Sequence, residues 1–312
     1  MLWDYFFLMR PILFFPGWSS LLGGYLVARR PGEALLDPYW ISPRWFGLEL
    51  ALALLSFALN MAGTFILNQL RDIESDRTNQ KLFFLGEGMI PVKHGIWQSG
   101  LTIGAGLIIA AFLGTPFFLF SLAFAVITGF AYNFPPLEMK SYPVRGLLAN
   151  MAMGWLAFVL GYCLAENPGR EMAAVSIPFL AFNTALYLLT TLPDIRGDRA
   201  TGKNTFPVRY GELTTLLFSA ALLLAATGSA FWMREVLLLF PALLALGFNL
   251  LALPGNKIAP VLQSVKLGLF SFSVMVCLKL PLYLLLIFLA YFLTRRYYRK
   301  RFGIVYPSFG GD

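Results

Sequence analysis

The chain has 312 residues, 58% of them hydrophobic and only 13% charged, about half the ~25% charge of soluble domains. Its mean hydropathy of +0.69 and its recurring apolar runs of roughly 20 residues, each long enough to cross a bilayer about 30 Å thick, exclude a soluble globular enzyme. The net charge of +8 does not make nucleic acid a partner, because the Lys and Arg residues sit in short loops between apolar runs, where a cytoplasmic bias accounts for them. Cys163 and Cys277 both lie inside apolar runs and read as small core residues rather than a disulfide or metal site.

In chain order, the candidate spans run over Ile12–Ala28, Leu48–Leu70, Ile96–Phe112, Pro116–Tyr132, Leu147–Ala165, Ala174–Leu192, Leu213–Trp232 and Val236–Leu253. The last apolar stretch, Ala259–Leu293, is too long for one span. Lys279 and Pro281 interrupt it near its middle, and proline removes a helix hydrogen bond. It reads either as two spans or as one span with an amphipathic lead-in. The expected fold is all-α: a single-domain polytopic bundle of roughly nine to ten transmembrane helices around a central cavity, with polar loops capping the cytoplasmic side.

Orientation follows from charge. The loops after the second, fourth and sixth spans carry Arg71, Arg77, Lys81, Lys93, Lys140, Arg145, Arg196, Arg199, Lys203 and Arg209. The positive-inside rule puts all of them on the cytoplasmic side, together with the basic tail at Arg295, Arg296, Arg299, Lys300 and Arg301. With the N-terminus also inside, an even number of crossings is expected, so ten segments rather than nine. The Tyr–Arg cluster of the tail reads most simply as an interfacial anchor.

Two of these loops carry the chemistry. Asn68, Asp72 and Asp76 end the second span at i, i+4 and i+8, so a helix places them on one face. Asp194 and Asp198 repeat the i, i+4 spacing after the sixth span, interleaved with Arg196, Arg199 and Lys203. Carboxylates one turn apart suit a hard divalent cation such as Mg²⁺, which takes oxygen ligands, and neighbouring cations suit phosphate oxygens. One such loop alone would read as a solvated charged segment. Two on the same predicted side, each opening at a span end, point to a metal-assisted diphosphate site.

Between them, Tyr132, a Pro135–Pro136 pair and Lys140 follow the fourth span. Taken singly, such a Tyr and Lys are more often ordinary interfacial residues. The run Leu82 to Leu85 beyond the first acidic cluster reads either as an apolar cap that excludes water or as an amphipathic interfacial helix. Asn60, Asn150 and Asn183 lie in or near apolar runs and face the bundle interior, with interhelical hydrogen bonding at least as good a reading as a site role. The lone His94 reads as a loop residue.

These motifs resemble the UbiA superfamily of intramembrane prenyltransferases. The first motif of that family, N-D-x-x-D-x-x-x-D after the second span, is matched by Asn68, Asp72 and Asp76, with Gln69 in place of the first Asp. The second, D-x-x-x-D followed by a G-K-x-T run, is matched by Asp194, Asp198 and the stretch Gly202 to Thr205. The Tyr, proline pair and Lys after the fourth span and the Arg10–Pro11 entry are also similar. The segment after the first motif departs: the usual Arg is absent, and Lys81 or Lys93 stands in its place. The resemblance extends over nearly the whole chain.

The resemblance implies transfer of an isoprenyl chain from its diphosphate to a small-molecule acceptor. Asp72, Asp76, Asp194 and Asp198 would hold Mg²⁺; Asn68, Lys81, Lys140, Arg196 and Lys203 would bind the diphosphate; and the Tyr132 ring would face the allylic cation. The leading acceptor is an aromatic quinone precursor, with a glycerol-phosphate lipid or a tetrapyrrole alcohol as the alternative. A cation-coupled transporter of an anionic lipid is the rival of another class. It predicts ionisable groups near mid-membrane, whereas these carboxylates cluster at span ends.

Overall fold

The structure, a computed structural model, describes residues 2–29, 46–74, 84–200, 202–255 and 257–307. Its helices are α1 (Leu2–Leu8), α2 (Phe14–Arg29), α3 (Leu48–Arg71), α4 (Val92–Phe112), α5 (Thr115–Phe124), α6 (Pro143–Tyr162), α7 (Arg170–Thr191), α8 (Ile195–Ala200), α9 (Phe206–Tyr210), α10 (Glu212–Trp232), α11 (Val236–Ala252), α12 (Ile258–Lys279) and α13 (Pro281–Phe302).

Among the described residues, seven helices are long and apolar enough to cross a membrane, and two shorter apolar ones, Thr115–Ala131 and Val236–Ala252, stand beside them. The protein is an integral membrane helical bundle. Large apolar side chains face outward on its perimeter, as lipid permits: Trp97, Phe112, Phe231 and Trp232 are all exposed. The first span is longer than its apolar run suggests, because α1 continues through a short turn at Pro11 into α2 and the stretch Leu2–Arg29 reads as one span. The long final run is broken at Leu280 and Pro281 into α12 and α13.

Lipid offers no hydrophobic drive between helices, so close backbone contact carries the packing. Helix α2 meets α6 in this way. A Cβ on Gly24 would overlap the Phe158 carbonyl, and one on Gly161 would overlap the Leu21 carbonyl. Nearby, Phe158 lies 4.6 Å from Phe179 between ring centres, and Phe179 lies 5.9 Å from Phe272, which ties α6, α7 and α12 together. The buried Tyr283 hydroxyl donates to the Phe15 carbonyl at 2.8 Å and shares a 2.8 Å hydrogen bond with Ser19, so α13 is pinned to α2 deep in the bundle.

Helix α13 then runs out to the end of the bundle where the chain begins. There Tyr297 stacks on Phe7 at 3.9 Å, and Phe84 of the first acidic loop packs against Phe302. Phe84 and Leu85 are buried with Phe7, Leu8 and Ile66. Phe84 and Leu85, the part of that apolar run among the described residues, thus anchor both terminal helices. The basic tail is correspondingly more than a surface anchor: it is the last turns of a packed helix.

Candidate functional site

Helix α3 ends where its apolar face does, and Asp72 caps it, its N–H bonded to the Asn68 carbonyl at 3.0 Å. The one-turn spacing brings the two side chains together: Asn68 Nδ2 donates to Asp72 Oδ2 at 3.1 Å. The same amide donates to Asn133 Oδ1 at 2.8 Å. Asn133 reaches that point because the end of α5 widens into a π-helical turn over Ala125–Ala131. Such turns leave carbonyls unpaired and recur at functional sites. Asn133 Nδ2 takes two of those carbonyls, Thr128 at 2.9 Å and Gly129 at 3.0 Å.

Lys140 completes this corner. Its ammonium donates to Asp72 Oδ1 at 2.7 Å and to Asn133 Oδ1 at 3.3 Å, and its side chain is only 7% exposed. Burial pulls the Lys140 ammonium below the ordinary lysine range, the Asp72 carboxylate pulls it back, and Lys203 and Arg71 lower it further. Lys203, from the second acidic loop, approaches the same Asp72 oxygen at 3.9 Å. Asp72 therefore joins three segments: the end of α3, the turn between α5 and α6, and the turn between α8 and α9.

The second acidic loop folds onto this corner. Asp198 accepts from Thr205 Oγ1 at 2.9 Å, and its carbonyl accepts from the Lys203 N–H at 2.9 Å. Asn204 N–H donates to the Ser141 carbonyl at 3.2 Å, next to Lys140. The Tyr132 carbonyl accepts from the Lys140 N–H at 3.2 Å, and the charges of Asp72 and Asp198 both reach the Tyr132 hydroxyl. The Tyr187 hydroxyl of α7 lies beside Gly146 of α6, whose carbonyl accepts from Asn150 Nδ2 at 2.9 Å.

The residues expected from the sequence divide as follows. Asn68, Asp72, Lys140 and Lys203 are joined directly, and Tyr132 and Asp198 flank them. Asp194 and Arg196 are exposed, and Asp194 engages Asp198 through its backbone at 2.9 Å. Asp76 and Lys81 lie outside the described residues. Among the described residues no three carboxylates gather to hold an ion by themselves. The donor set still suits Mg²⁺ with a diphosphate: carboxylate and amide oxygens for a hard cation, and Lys140 and Lys203 for phosphate oxygens.

Sequence reasoning does not single out Asn133 and Tyr187 and reads Asn150 as packing, while Thr205 closes the stretch already matched to the second motif. Asn60 lies apart from them. It is fully buried, donates to the Ser56 carbonyl at 3.0 Å and abuts Gly106 of α4. His94 shares a 2.6 Å hydrogen bond with the Tyr5 hydroxyl at the start of α4. Gln69 is turned away from the site. Its amide nitrogen, buried with the rest of its side chain, donates to the Leu8 carbonyl at 3.0 Å and ties α1 to α3.

Residues 18–258 match the family described as the UbiA prenyltransferase family. The chain belongs to this family. Over 155 residues this UbiA chain is 29% identical to a homogentisate phytyltransferase of Synechocystis, covering 47% of the chain and 50% of that relative. Over 169 residues it is 31% identical to a digeranylgeranylglyceryl phosphate synthase of Methanoculleus marisnigri, covering 53% of the chain and 58% of that relative. The matches therefore span between half and three-fifths of these curated relatives. In fold, the UbiA chain is similar to a UbiA homolog of Archaeoglobus fulgidus bound to GPP and Mg²⁺. The TM-score is 0.68 at 24% identity, covering 91% of this chain and 99% of that one.

Proposed function

We propose that this protein is a Mg²⁺-dependent prenyltransferase. It moves an isoprenyl group from its diphosphate to an aromatic quinone precursor in the membrane, at a site on the cytoplasmic side. The observation that carries the reading is the convergence of Lys140 and Lys203 on Asp72, with Asn68 and Asn133 fixing the carboxylate. The side assignment rests on the Lys and Arg residues concentrated at this end of the bundle.

Asp72 and Asp198, with Asp76 and Asp194, would hold the metal. When bound, Mg²⁺ neutralises charge that builds on the departing diphosphate. Lys140 and Lys203 turn from Asp72 to phosphate oxygens, with Arg196 and Lys81 as further cationic partners of the diphosphate. The allylic carbon–oxygen bond breaks and its electron pair leaves with the diphosphate. The Tyr132 ring faces the carbon left electron-poor. A ring carbon of the acceptor bonds to that carbon, then loses its proton to restore aromaticity. The aromatic acceptor is favoured by the likeness to a protein named homogentisate phytyltransferase.

The test is incubation of the purified protein with Mg²⁺, labelled geranylgeranyl diphosphate and, in separate reactions, a dihydroxyphenyl acid and a glycerol-phosphate ether lipid. A prenylated aromatic product is expected. A product formed only with the glycerol-phosphate lipid overturns the acceptor reading. No diphosphate release with either overturns the enzyme reading.

A further inference from the structure

A cavity of about 440 Å³ opens between α1 and the end of α13. It shares none of its lining with the site above. One wall is apolar and aromatic, from Trp3, Phe7, Leu293 and Tyr297; the rim carries Arg296, Lys300 and Arg301 against the single carboxylate of Asp4. That carboxylate is engaged: Tyr297 donates to it, and Arg301 lies 3.4 Å away. The cavity is therefore cationic at its rim, three positive charges to one negative.

The lining of α13 is one stripe. Leu293, Arg296, Tyr297, Lys300 and Arg301 recur at three- and four-residue intervals, so they share a face. Along that stripe the chemistry changes from apolar to basic over about 12 Å, at ~1.5 Å per residue. This is the passage from acyl chain to headgroup. Trp3, 58% exposed, stands at the mouth, as amphipathic rings do at a membrane interface. A free phosphate would use the rim and leave the apolar wall wet; a neutral lipid would leave the cations unmatched.

We propose that this cavity binds one anionic phospholipid, with its phosphodiester against Arg296, Lys300 and Arg301 and its acyl chains along Trp3, Phe7 and Leu293. The proposal does not rest on the prenyltransferase reading. Because Phe7 and Tyr297 also pack with Phe84 and Leu85, a lipid there would brace the segment that follows the first acidic motif.

The test uses the full chain in neutral detergent, with lipid binding read by native mass spectrometry and by thermal unfolding. Phosphatidylglycerol, phosphatidylcholine and inorganic phosphate are added in parallel. Phosphatidylglycerol is expected to be retained and to raise the unfolding temperature, with the other two without effect. The double variant Arg296→Gln with Lys300→Gln should weaken phosphatidylglycerol on the order of tenfold. A control double variant, Arg170→Gln with Arg234→Gln, removes equal charge from the start of α7 and the turn between α10 and α11, at the other end of the bundle, and should bind as the parent does. Brominated phosphatidylglycerol should quench tryptophan fluorescence less in Trp3→Phe than in the parent. Equal loss in both double variants, equal stabilisation by inorganic phosphate, or no retention of phosphatidylglycerol by the parent each overturns the proposal.

Discussion

Replacing Lys140 by Met keeps the length of the side chain and removes its charge. Asp72 Oδ1 then loses its 2.7 Å partner and keeps Lys203 at 3.9 Å, while Asp72 Oδ2 keeps Asn68 at 3.1 Å. Stripping a fully buried ion pair of one partner costs about 3–5 kcal/mol. Here the Asp72 side chain is 17% exposed and retains a second cation, so the loss is nearer that of one charge-assisted hydrogen bond, about 2 kcal/mol. The functional loss is larger, because a cation aimed at a departing diphosphate acts mainly in the transition state; kcat/KM should fall by about 10²–10³-fold. Lys140 also competes with metal for Asp72. In the absence of diphosphate, Lys140→Met should therefore bind Mg²⁺ more tightly than the parent while transferring far less. Titration calorimetry with Mg²⁺ and a product assay on the same preparation read both. Weaker Mg²⁺ binding with unchanged transfer would refute the reasoning.

Three further outcomes are expected. Gly161→Ala drives a methyl into the Leu21 carbonyl, which cannot move without shifting α2; the cost exceeds the ~1–3 kcal/mol of ordinary overpacking, and the yield of monodisperse protein should collapse, whereas Gly104→Ala, with open space around it, should be silent. Gln69→Asp, which restores the residue common in the family, puts a carboxylate at a position 2% exposed and facing the Leu8 and Phe65 carbonyls; it should lower the unfolding temperature and should not raise kcat. Burial pushes the Glu235 carboxyl, which accepts from the Leu237 N–H, up to about 7. Because its folded value lies above the unfolded one, near ~4.3, the folded state binds the extra proton. Stability from this group is present below the unfolded value and is lost as pH rises through about 7. Glu235→Gln should flatten the pH dependence of thermal unfolding between roughly pH 4 and 7.

Much of the fold is legible in the sequence because lipid imposes one rule: long apolar runs become helices. The carboxylate spacing at Asp72 and Asp198 is legible for the same reason, since an α-helix fixes which residues share a face. Asn133 is not, because its position depends on a π-helical turn, and a 3.6-residue period cannot show where a helix widens. Tyr187 and Asn150 lie on consecutive helices, and which of their faces meet is set by the packing of α6 on α7 rather than by sequence spacing. Gln69 reads as a motif departure, yet its side chain serves the contact between α1 and α3. The tail reads as a charged anchor because composition reports its Arg and Lys residues and hides the stripe of Leu293 and Tyr297 that docks on α1.

The most direct test of the account is Mg²⁺-dependent release of pyrophosphate from a prenyl diphosphate, in the presence of the aromatic acceptor, by the parent protein and by Asp72→Asn and Asp198→Asn. The two substitutions preserve side-chain shape and remove one charge each from the two acidic loops. The account predicts release by the parent, its loss on chelation of Mg²⁺, and a fall of at least about 10²-fold in each variant. Release at the parent rate by both folded variants would contradict it.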